Sequence, residues 1–147
     1  MKLFSFLLLL AAFIQTAFLP LNICLVILIC RSYAIHSKEN YYLAIIAGLF
    51  IGILSPVNWG FWPLVFSASV ALIHMIRLLP ITGRLLMVVP VAFLILTLSN
   101  GIESLFLQAP FIWWYGALSS LIALPIFIAV RTWEERFIVK SGIKLKV

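Results

Sequence analysis

The sequence predicts an all-α membrane protein, a bundle of six transmembrane helices with both termini in the cytoplasm. Three observations carry that expectation. Of the 147 residues, 65% are hydrophobic and 10% charged, and the mean hydropathy is +1.25; soluble domains are about half apolar and about a quarter charged. The apolar residues lie in long uncharged runs divided by short polar breaks, which is the pattern of polytopic membrane proteins. All ten Lys and Arg residues fall on one side of a six-span arrangement, as the preference of cytoplasmic loops for cations requires.

Residues 3–19 form the first expected span. A signal peptide is the competing reading, but Gln15 spoils the small-x-small cleavage pattern before Ala17, and more apolar sequence follows directly. Pro20 and Asn22 interrupt the run. One helix over residues 3–30 would be about 42 Å long, against a hydrocarbon core of about 30 Å, so a tight hairpin and a second span over 21–34 fit better. That span ends near Arg31, whose long side chain can snorkel to the headgroups. Residues 41–54 give a third span of only about 21 Å, which needs a thinned bilayer or help from its flanks. The fourth span is 61–76, closed by Arg77 and Pro80. The fifth, 85–107, is interrupted by Pro90 and by Asn100-Gly101, and the sixth, 111–130, contains Pro125. Each internal proline removes a helix hydrogen bond and bends its span. The transmembrane domain is therefore 1–131, and a basic cytoplasmic tail follows over 132–147. Its cations interleave with Phe137, Ile138 and Val139, which suits a segment lying on an anionic leaflet or docking a cytoplasmic partner.

In this arrangement the outer connections at 20–22, 55–60 and 108–110 hold no Lys or Arg. Trp59, Phe61 and Trp62 mark one outer turn and Trp113, Trp114 and Tyr115 the other, at the interface depth that suits amphipathic rings. The net charge of +6 then reflects anchoring beside anionic lipid rather than nucleic-acid binding, since no basic cluster alternates with aromatics. Cys24 and Cys30 lie about 9 Å apart along one helix and on different faces, so they cannot bridge each other.

The stretch the chain is organised around is 48–60, GLFIGILSPVNWG. Gly48 and Gly52 share a helical face, with Ala44 one turn before and Ser55 roughly one turn after, so another helix can approach closely. Pro56, Asn58 and Gly60 then turn the chain. Further small faces are expected at Ser67/Ala71 and at Gly116/Ser120 or Ser119/Ala123. Catalytic patterns are missing: no HExxH, no GxSxG, no phosphate-binding glycine loop and no cysteine pair at metal spacing. No catalytic residue, cofactor or metal ligand is therefore expected. Glu103, which shares a face with Asn100, is either an interfacial acid reaching water or a polar contact to a partner or to the Asn58 loop. His74 is expected to be a packed or interfacial residue, because His36 is the only other histidine.

With these features in place the chain resembles the rod-shape-determining protein MreD family of bacteria over nearly its whole length. The likeness rests on the second span after a proline turn (LPLNICLVIL), the GxxxG of Gly48 and Gly52, an outer loop with Pro56 and Gly60, and a following span ending at Arg77. Many members carry an acid just after the glycine pair, where this chain has Ser55-Pro56. The resemblance implies a non-enzymatic component of the wall-elongation machinery in the bacterial inner membrane. The partners it implies are MreC-like and MreB-like proteins and peptidoglycan synthases, with no nucleic acid. The family fold is similar to the substrate-binding S-components of energy-coupling-factor transporters, so the alternative is a small-molecule-binding subunit of an uptake transporter.

Overall fold

The computed structural model describes residues 2–18, 22–35, 37–55, 60–78, 87–108 and 110–137. They form six α-helices: α1 (Lys2–Phe18), α2 (Ile23–Ala34), α3 (Glu39–Leu54), α4 (Phe61–Arg77), α5 (Val88–Leu107) and α6 (Trp113–Phe137). The first five lie within a few residues of the runs expected from hydropathy, and α6 runs beyond its expected end. Two of them are long and apolar enough to cross a membrane, Val88–Phe106 within α5 and Trp113–Trp133 within α6.

Side-chain contacts set the directions. Cys24 reaches the Leu8 carbonyl and Arg31 lies over Phe4, so α1 and α2 are antiparallel. Tyr41 meets His74 edge-on while Gly48 faces Pro63, so α3 and α4 are antiparallel too. Tyr33 packs on Phe127 and Cys30 Sγ donates to the Ala123 carbonyl, which places α6 parallel to α2. The bundle thus has two ends. One gathers the end of α1, the start of α2, the start of α4 and the end of α5; the other gathers the start of α1, the end of α2, the start of α3 and the end of α4.

The centre of the bundle is α2, not the third helix with its glycines. Every residue from Cys24 to Tyr33 is buried, and α2 touches each of the other five helices. A helix apolar all round can be covered on every side, and α2, with 12 residues, is also the shortest. Cys24 and Cys30 are both buried free thiols, on different faces as expected.

Three sequence expectations change. Pro90 sits in the first turn of α5, where its missing N–H would have had no helix partner, so it starts the helix rather than interrupting it. Helix α6 runs without a break past Arg131 to Phe137, so the first residues of the expected tail continue the sixth helix. On α4 the inward face is Val65, Phe66, Ser69, Val70 and Ile73, and Ser67 and Ala71 are only half-buried beside it. The small faces of α6 do pack: Gly116, Ser119, Ser120 and Ala123 are all buried. A Cβ on Gly116 would lie 3.2 Å from Thr97 Oγ1 of α5.

Candidate functional site

A 12-residue helix surrounded by other helices leaves backbone N–H and C=O groups at its ends with no partner of their own, and burying them unmet costs about 1–3 kcal/mol each. The polar residues of this apolar chain collect at those two ends. At the start of α2, the N-cap Asn22 makes no side-chain capping bond; α1 supplies one instead. The buried Gln15 accepts the Cys24 N–H on Oε1 at 2.9 Å and donates from Nε2 to Asn22 Oδ1 at 2.8 Å. Asn22 Nδ2 in turn donates to Glu103 Oε1 of α5 at 3.2 Å. Three helices are joined by one chain of amides ending in a carboxylate.

At the far end of α2, Arg31 is only 2% exposed. Its Nη1 donates to Asn40 Oδ1 at 3.1 Å, its guanidinium lies 4.6 Å from the centre of the Phe4 ring, and its Nη2 is 3.5 Å from Glu39 Oε2. The expected snorkelling to headgroups is not what this arginine does. It turns inward because a guanidinium can satisfy a buried amide and stack on an aromatic face at once. Asn40 Nδ2 donates to the Ile35 carbonyl at 2.7 Å and Arg77 Nη2 to the Ala34 carbonyl at 3.3 Å, so side chains from α3 and α4 close the end of α2.

The glycine face is an internal joint. An added Cβ on Gly48 would come within 2.5 Å of Pro63 Cα and N and 2.8 Å of the Trp62 carbonyl carbon. Backbone therefore touches backbone between α3 and α4, and Pro63, in the first turn of its helix, presents no N–H to be buried. Gly52 is buried on the same helix. Ser55 is the extended residue that ends α3, its N–H bonded to the Ile51 carbonyl. Gly60 is the exposed N-cap of α4. Pro56 and Asn58 lie outside the described residues. Asn100 is half-buried beside the α6 glycine Gly116, one turn before Glu103. The structure thus brings Glu103 to Asn22 and Gln15, and keeps Gly48 on α4.

Sequence reasoning missed Gln15, Asn22, Arg31 and Asn40 as a functional set. The signal was present in Gln15, an amide inside an otherwise apolar run, which in low dielectric demands a partner. His74 packs on Tyr41, as a residue of this kind usually does. Among the described residues no three His, Cys, Asp or Glu side chains converge on a metal position. Two apolar grooves open sideways: one of about 610 Å³ along α5, lined by Phe93, Thr97 and Gly101 among others, and one of about 220 Å³ between Phe4, Ile27 and Trp133. The arrangement is one that fixes helices against each other. Comparison with models of known protein families, with curated proteins and with solved structures gives no match.

Proposed function

We propose that this chain is a multi-pass protein of the bacterial inner membrane, with six spans and both termini in the cytoplasm. In this reading it acts without catalysis, as a scaffold of the wall-elongation machinery that maintains rod cell shape, in the manner of the MreD family. The observation that carries the membrane reading is an inverted polarity. Gln15, Arg31, Ser32, Asn40, Ser69, Ser99, Ser119 and Ser120 are buried, while Phe6, Phe13, Ile53, Leu64, Leu72, Leu98, Leu118 and Leu121 are exposed. Water would penalise so large an apolar exterior; lipid accepts it and asks that polar groups be satisfied inside. Ser69 and Ser120 meet that demand locally, bonding to the Val65 and Ala117 carbonyls.

The orientation follows from charge. Arg31, Lys38 and Arg77 belong to the end where α2 finishes, and the breaks at the opposite end have no Lys or Arg, so the first end faces the cytoplasm. The short α2 fits such a protein because its ends are closed by Gln15, Asn40 and Arg77 rather than by lipid headgroups. The scaffold role draws on the sequence likeness around Gly48, Gly52, Pro56, Gly60 and Arg77. Its test is affinity purification of the tagged protein from crosslinked, detergent-solubilised host membranes. Wall-synthesis and cytoskeletal proteins of the MreC, MreB and peptidoglycan synthase classes are expected. Recovery of an ATPase pair with a small coupling subunit would replace the scaffold with a substrate-binding subunit of an uptake transporter.

A further inference from the structure

Glu103 is the end of the Gln15–Asn22 chain and is itself unfinished. A carboxylate offers about four acceptor sites, and among the described residues Glu103 receives one bond, from the neutral Asn22 amide at 3.2 Å. It is half-buried in the last turns of α5, where a charge in reduced dielectric gains most from an opposite charge. Among the described residues no Lys or Arg lies at that end: the breaks at 20–22, 55–60 and 108–110 contain neither in sequence, and Arg31 and Arg77 are committed at the other end of α2. A second copy in the same orientation brings no outer cation either. Around the same end, Leu105, Phe106, Trp113 and Trp114 are exposed, the two tryptophans stacked at 4.2 Å. In the proposed topology these side chains lie at the outer border of the bilayer, so a partner that reaches Glu103 sets apolar groups against them.

We propose that Glu103 is the receptor carboxylate for a Lys or Arg side chain of a different protein, inserted from the outer side at the border of the bilayer beside Phe106. The partner is recognised by a basic residue next to an apolar segment, and Asn22, held by Gln15, orients the carboxylate toward it. This rests on the topology proposed above. The full-length chain in host membranes carries a photoreactive phenylalanine analogue at position 106, with Glu103 or with Glu103→Asp, Glu103→Gln or Glu103→Lys. The expected result is one protein adduct whose crosslinked peptide contains Lys or Arg. Its yield is kept by Glu103→Asp, falls about tenfold in Glu103→Gln, as for loss of one member of a desolvated charge pair, and is lost in Glu103→Lys. Exchanging the partner's cation for Glu then restores the adduct to Glu103→Lys. Adduct yield indifferent to the charge at position 103, an adduct only to phospholipid, or failure of the charge exchange would overturn the site. Gln108→Cys in the same membranes separates the two claims. Labelling from outside by an impermeant maleimide leaves the topology standing when the site fails, and labelling only from inside removes the topology and the proposal with it.

Discussion

Gly48→Ala is expected to destabilise the bundle by about 3 kcal/mol, the upper part of the range for overpacking a tight contact, and Gly48→Leu to leave α3 and α4 unable to seat. The reason is the identity of the obstructing atoms. A Cβ at Gly48 meets Pro63 Cα and N and the Trp62 carbonyl carbon, all backbone, at 2.5 to 2.8 Å. A side chain could rotate away, whereas these atoms move only if a whole helix shifts. The control is Gly101→Ala on α5, where nothing lies within 4 Å of the added carbon; there the higher helix propensity of alanine should be neutral or favourable by up to about 1 kcal/mol. Unfolding of the detergent-solubilised proteins, followed by tryptophan fluorescence, orders the three. A Gly48→Ala protein that unfolds like the unmodified chain would show that α3 and α4 do not meet at this joint.

Arg31→Ala should cost about 2–4 kcal/mol, whereas Glu39→Gln should cost well under about 1 kcal/mol, even though the two residues form an ion pair. Glu39 is 42% exposed and 3.5 Å away, so water and salt screen that attraction. What Arg31→Ala removes is buried: the bond to Asn40 Oδ1, the stacking on Phe4 and the volume of the side chain itself. Asn40 would keep its bond to the Ile35 carbonyl but lose its donor. Arg31→Lys keeps the charge without the planar fork, and should fall between the two. The same fluorescence assay at low and high salt decides the matter. Equal losses from Arg31→Ala and Glu39→Gln, both relieved by salt, would show that the surface pair rather than the buried cluster is what counts.

The helices were legible because long uncharged runs broken by Pro, Asn and Gly leave few other options. The prolines at 20 and 110 and the Asn22 break placed the helix ends to within a few residues. What could not be read was which helix lies at the centre. A helix surrounded by lipid and one surrounded by protein are equally apolar, so ICLVILICRSYA carried no mark of being covered on all sides. Direction of side chains was equally hidden: Arg31 near a helix end looks the same whether it snorkels outward or folds onto Phe4. In the sequence Glu103 reads as an interfacial acid or as a contact to a partner or to the Asn58 loop. Its bonded partner is Asn22 of the first hairpin, a pairing across 81 residues that only packing decides. Gly48 was legible as a close-approach position, but the spacing of the glycine pair could not say that α4 of the same chain packs on it.

The central claim is that the end bearing Glu103 faces out of the cell and the end bearing Arg31 faces in. Single cysteines placed by Ser37→Cys, Gly60→Cys and Phe111→Cys, in a chain freed of Cys24 and Cys30, test it in intact host cells with a membrane-impermeant maleimide. Gly60→Cys and Phe111→Cys should be labelled at once, and Ser37→Cys only after the membrane is permeabilised. Labelling of Ser37→Cys in intact cells, with Gly60→Cys and Phe111→Cys protected, would contradict the account.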